Sequence, residues 1–311
     1  MQKGLIASMR MIENMCLVNM RSPARHVFQY LHLAIVNLAL ERNNEFDHEL
    51  GSFTLIYDDT HLWKLNVNVD SREIRISRKV VEVLWASVYA YFVVYNDVIR
   101  YQDPTKQGLV DLTTNDRTSK SCKLLRWAFE SRINESKDEW PDDLPMPTAI
   151  PEPESEEHVA NEFALGAIAF MLHHELSHIR LGHQPPSNIE DEREADAVAL
   201  DWVFSKADYS NERLIQKKAL CCAVGLADLC AFGIHTGYFN GVDHPASYDR
   251  LVYGLRRVIE DDCHVSWFFV SAILSLHMTN AGYSMPTTVY DTPYAYVEDI
   301  ANQLSRGNQL S

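Results

Sequence analysis

At 311 residues, with 46% hydrophobic and 23% charged residues, the chain can bury one large core or two ordinary ones and lies far from the composition of a disordered segment. Its 43 acidic against 28 basic residues give a formal net charge of -15. That excludes a nucleic-acid duplex as partner, because such binding rests on Lys and Arg displacing counterions from phosphates. Six cysteines (Cys16, Cys122, Cys221, Cys222, Cys230, Cys263) include no C-x-x-C pair, and the N-terminal stretch, interrupted by Arg10 and Glu13, makes a poor secretory signal. The expected setting is a reducing cytoplasm.

In chain order, the first third reads as mixed structure. A helix is expected over residues 25–41. Leu65, Val67 and Val69 then alternate with Asn66 and Asn68, and Ile74 and Ile76 repeat the pattern beyond an Asp70-Ser71 turn, which predicts a hairpin. Helices follow over 79–101 and 119–137. Five prolines (Pro141, Pro145, Pro147, Pro151, Pro153) among acidic residues mark an extended connection. Downstream the pattern is helical over 157–183, 188–205, 211–237, 248–260, 265–278 and 294–304. The expected class is α+β, with an N-terminal region at 1–140 containing a small antiparallel sheet, a Pro-rich acidic linker at 141–157 and a helical region at 158–311. The most apolar runs, 163–172 and 265–276, fall short of the ~18 residues of a membrane span, so none is expected.

The chemistry is carried by His174-Glu175-Leu176-Ser177-His178. Inside a helix the two histidines, four residues apart, project from one face and can reach one metal ion. Glu175 lies beside that face, where it can contact a water without being a ligand, the arrangement for metal-assisted hydrolysis. Phe170, Met171 and Ala167 continue the histidine face backwards, so it points to a core.

The next helix is expected to start at Ser187, with Ser187 and Glu190 spaced as a capping box, while Gly182 and Pro185-Pro186 end the preceding one. In the resulting antiparallel hairpin, at ~1.5 Å per residue, His178 stands level with Glu192 and His174 with Asp196. Glu192 is the expected third ligand, and Asp196 the carboxylate that holds an imidazole from behind. Glu194, two residues on from Glu192 and so about 200° round the helix, should face away. His183 should lie opposite His178 on a continued helix. A metzincin is excluded, because Gln184 and Leu181 stand where its histidine and glycine would be. Blander readings exist: core histidines, and an acidic first turn at 190–194 that complements the helix dipole.

The segments HHELSHIRLGH and EDEREADAVALDW together resemble a gluzincin metallopeptidase. The resemblance implies zinc on His174, His178 and Glu192, Glu175 as general base, Asp196 behind the ligands, and hydrolysis of a protein or peptide substrate. The same stretch, with the chain length, resembles the Lit-type phage-exclusion peptidases, which implies a role in phage exclusion and a host translation factor as substrate. His244-Pro245 with Arg250 is similar to a His-Pro element of some membrane-bound gluzincins, which implies that His244 donates to an oxyanion and Arg250 holds the site. By themselves these residues read rather as the opening of a helix with Arg250 on its solvent face. His173 is expected at solvent or behind the ligands, and Cys221 and Cys222 as inert core thiols. The reading from another class is a non-catalytic regulator using the zinc helices as a scaffold; intact Glu175 argues against it. Oligomeric state is not legible.

Overall fold

A computed structural model describes residues 22–49, 52–97, 115–135, 139–239, 244–286 and 288–308. By internal packing the chain divides into two compact units, Met1–Leu172 and His173–Ser311.

Among the described residues of the first unit, α1 (Arg25–Phe28) and α2 (Leu31–Asn37) stand where the apolar pattern predicts one helix over 25–41, and α3 (Asn43–Glu49) follows. Val27, Phe28, Leu31, Ala34 and Ile35 are all buried, so the apolar face is continuous although the backbone is not. The break falls at Tyr30, whose hydroxyl donates to the Ala149 carbonyl at 3.2 Å. That contact is 119 residues away in sequence and has no local signal.

The sheet has strand order β1-β3-β2, with β1 at Thr54–Asp58, β2 at Leu65–Asn68 and β3 at Glu73–Ser77. The predicted hairpin is the antiparallel pair of β2 and β3, in which Leu65 opposes Ile76 and Val67 opposes Ile74. The sheet is mixed rather than purely antiparallel, because β1 joins the other side of β3 in parallel, Leu55 against Ile74 and Tyr57 against Ile76. Alternation within one strand says which face is buried, not which way its partner runs. Ile74 and Ile76 are fully buried.

Helix α4 (Arg78–Asp97) is buried almost all round and packs along α5 (Asp116–Ile133), whose first turn is capped by the Asn115 side chain accepting from the Thr118 amide. Trp85 is the centre of this core. Its ring stacks on Tyr89 at 5.3 Å, and its Nε1 donates to Asn161 Oδ1 at 2.6 Å. The Pro-rich stretch has neither helix nor strand over residues 139–155, yet Trp140 is buried, 4.8 Å from the Trp127 ring, with its Nε1 donating to the Pro145 carbonyl.

Helix α6 (Glu156–Leu181) crosses the division between the units. The second unit continues with α7 (Ile189–Phe204), α8 (Glu212–Thr236), α9 (Ser247–Arg256), α10 (Val265–Asn280) and α11 (Pro293–Asn308). Its centre is α8, against which α9 and α10 pack, with α11 on α10 and α7 on α9. Among the described residues, α8 is the one helix long and apolar enough to cross a membrane. It is mostly buried in the unit, where Cys221, Cys222, Leu226 and Cys230 belong to the core. Gly233 is required there because a Cβ would lie 2.6 Å from the Phe239 ring. Five cysteines, Cys122, Cys221, Cys222, Cys230 and Cys263, are free thiols.

Candidate metal and active site

The last turns of α6 carry the two histidines. His174 and His178 are buried, their rings lie edge to face, and their Nε2 atoms are 3.2 Å apart. Glu192, 2% exposed on the first turn of α7, brings Oε2 to 3.3 Å from His174 Nε2 and Oε1 to 3.4 Å from His178 Nε2. One ligand atom from each of the three residues lies within 4.8 Å of the others.

Local sequence explains the hairpin. Gly182 adopts a left-handed φ of 69°, and the Gly182 and His183 amides both donate to the His178 carbonyl, at 2.9 and 3.1 Å, which closes α6 with a Schellman turn. At the other end Asn188, not Ser187, caps α7. The Asn188 side chain accepts from the Glu190 and Asp191 amides, and Asp191 accepts from the Asn188 amide, so the capping box lies one residue later than the spacing suggests. That shift frees Ser187, whose hydroxyl donates to Glu192 Oε1 at 3.0 Å. No sequence pattern marked this contact.

A second ring of residues holds the first. Asp196 Oδ1 is 2.9 Å from His174 Nδ1, and Arg250 of α9 grips the Asp196 carboxylate with two hydrogen bonds of 2.8 Å. Arg250 therefore does not lie on the solvent face of α9; its side chain is only 13% exposed. His244, which remains exposed, brings Nδ1 to 3.0 Å from Glu192 Oε2. His183 is not opposite His178 as a continued helix would require. The left-handed Gly182 turns the chain back, so that His183 Nδ1 meets His178 Nδ1 at 2.9 Å. Glu194 does face away from the cluster, but its Oε2 reaches His183 Nε2 at 3.3 Å. His173 does not lie at solvent: it is fully buried, 5.8 Å from the Trp202 ring.

The electrostatics follow from burial and charge. Burial disfavours a charged His174, but hydrogen bonds and charge from Asp196 and then Glu192 outweigh it and raise the imidazole to about 9. His178 falls to about 4, through burial and then its charged neighbour His174. Burial also opposes the charges of Glu192 and Asp196, yet His174 and His244 hold Glu192, and Arg250 and His174 hold Asp196, well below the usual carboxylate range. Glu175 behaves oppositely: burial raises its carboxyl, and Glu192 adds to the rise against His174, Arg250 and His244.

This donor set fits a cation. Two imidazole nitrogens facing each other at 3.2 Å, with an ionised carboxylate on both, are all acceptors unless a proton or a metal ion stands among them. Asp196 and His183 occupy the Nδ1 atoms, which leaves both Nε2 lone pairs free to point inward. Two histidines and one carboxylate are a usual catalytic zinc set, and such a set leaves a fourth position for water.

The helix hairpin carries a candidate metal centre, and comparison with known proteins gives the class. Residues 74–270 match peptidase U49, and the chain belongs to that family. Every residue of the cluster lies within the matched stretch. The chain is 27% identical over 241 residues to the "Cell death peptidase" of Escherichia coli (strain K12), covering 75% of this chain and 80% of that protein. No solved structure matches. The protein is a peptidase, a hydrolase of peptide bonds.

Proposed function

We propose that this peptidase depends on zinc, with His174, His178 and Glu192 as ligands and Glu175 as general base. The observation that carries the reading is the convergence of those three buried side chains, with their donor atoms within 4.8 Å of one another. A zinc ion held there supplies a Lewis acid and brings the pKa of a water molecule towards neutrality. Glu175 takes a proton at its carboxylate and later returns it to the leaving amine. Its upward shift, caused by burial, makes it a stronger base at neutral pH than an ordinary glutamate. Asp196 fixes the tautomer and orientation of His174, and Arg250 fixes Asp196. With Nδ1 3.0 Å from Glu192 Oε2, His244 stabilises an oxyanion through its other ring nitrogen only as an imidazolium, in which both nitrogens donate.

The substrate we propose is a protein of the cell that makes the peptidase. The name of the Escherichia coli relative, a cell death peptidase, supports it. The resemblance to phage-exclusion peptidases makes a host translation factor the first candidate.

Metal analysis of purified wild type and Glu175→Gln, paired with proteomic mapping of cut sites in cells expressing each, tests the reading. Wild type and Glu175→Gln should both carry one zinc, while cleavage falls by ~10²-fold or more in the variant, because a base is lost and no ligand is. Zinc loss in Glu175→Gln, or undiminished cleavage, would refute the assignment.

A further inference from the structure

The two histidine ligands proposed above are backed differently. His174 has the buried, doubly anchored Asp196 behind its Nδ1. Among the described residues, no carboxylate stands behind His178 Nδ1, which instead faces the Nδ1 of another imidazole, that of His183, at 2.9 Å. The His183 side chain is only 8% exposed, and its Nε2 lies 3.3 Å from Glu194 Oε2, on a side chain 60% exposed.

We infer that His183, backed by Glu194, is a positioning residue that fixes the tautomer and orientation of His178; the inference rests on the metal reading above. Two facing Nδ1 atoms can share only one proton. If His178 is to offer Nε2 as a lone pair, its Nδ1 carries the proton and His183 Nδ1 accepts it. His183 then carries its own proton on Nε2, which faces the Glu194 carboxylate at 3.3 Å, with Asp191 Oδ1 farther off at 3.9 Å. The chain of bonds from His178 through His183 to Glu194 is therefore consistent with one arrangement of protons, and that arrangement presents His178 Nε2 to the ion. Both His183 nitrogens are engaged in it, so His183 is not itself a ligand. The left-handed Gly182 and the 3.1 Å bond from the His183 amide to the His178 carbonyl bring the ring back over the last turn of α6. A ligating histidine whose second nitrogen is held by a hydrogen-bonding partner binds metal more tightly, typically by ~10–100-fold.

The test is zinc affinity by competition with a chromophoric chelator, together with the visible spectrum of the cobalt-loaded protein, for wild type, His183→Ala, His183→Asn and Glu194→Ala. His183→Ala should bind zinc ~10–100-fold more weakly and shift the cobalt bands. His183→Asn should recover most of the affinity, because the amide oxygen can accept from His178 Nδ1, as a packing role alone would not allow. Glu194→Ala, at an exposed side chain that cannot unfold the unit, should move affinity in the same direction by less. Wild-type affinity in both His183→Ala and Glu194→Ala, or an Asn variant as weak as the Ala one, overturns the inference while leaving the metal reading intact. A wild-type protein that binds no zinc overturns both.

Discussion

Besides His178 and His183, two further pairs of histidines touch among the described residues of the second unit, and they differ at one member. His174 and His178, one turn apart on α6, have ring nitrogens 3.2 Å apart; His235 of α8 and His277 of α10, 42 residues apart in sequence, have theirs at 2.9 Å. Both pairs meet edge to face. At His235 and His277 burial lowers the imidazoles, and at His277 the neighbouring His235 lowers it further. At His174 burial acts in the same sense but is overcome by Asp196 and Glu192. Proximity of two imidazoles in a core does not make a metal centre. At the candidate site, carboxylates held ionised beside His174 and His178 supply the negative charge that a dication would need once water is excluded.

The largest expected effect separates the pairs directly. His174→Ala, His178→Ala and Glu192→Ala should each remove zinc from the purified protein, whereas His277→Gln should leave the zinc content at one. Zinc loss from His277→Gln, measured by atomic absorption on folded protein, would erase the distinction.

A smaller effect is expected one shell out. Asp196→Ala leaves the three proposed ligands in place and removes the acceptor from His174 Nδ1, so zinc affinity or activity should drop by ~10–100-fold. It also leaves Arg250 buried without its carboxylate, a loss of several kcal/mol, about 3–5, in unfolding free energy. Replacing both, Asp196→Asn with Arg250→Met, should restore stability more than affinity. If affinity returned with stability, Asp196 would be acting on the fold and not on His174. Asp191→Ala instead removes the carboxylate that completes the cap of α7, so about 1 kcal/mol of stability should be lost without loss of zinc.

The smallest effect tests the other pair. His235 and His277 have folded-state values below the ordinary 6.5, so they stay neutral in the folded protein while the unfolded chain takes up protons below that pH. Their stabilising contribution is full above pH 6.5 and is lost as pH falls below it. Urea unfolding of zinc-loaded protein between pH 7.5 and 5 should show stability falling towards acid, with a shallower slope in His277→Gln. Equal slopes in both proteins would dismiss the burial argument for this pair.

The sequence by itself determined what helical periodicity can carry. Two histidines four residues apart must share a face, and a short turn with a readable glycine and cap sets two helices antiparallel, so Glu192 and Asp196 fall level with His178 and His174. The α+β class and nearly every helix in the second unit were legible for the same reason, since a repeating local pattern is written in neighbouring residues. What only the tertiary structure decided involves either a reversal of the local period or a partner far along the chain. The left-handed Gly182 breaks the helical extrapolation and swings His183 onto His178. The one-residue shift of the cap releases Ser187 to Glu192. Arg250 reaches Asp196 across 54 residues, His235 meets His277 across 42, and β1 pairs in parallel with β3. Such contacts depend on which packed arrangement buries the most apolar surface with its polar groups satisfied. That is a property of the whole core, and no short stretch of sequence contains it.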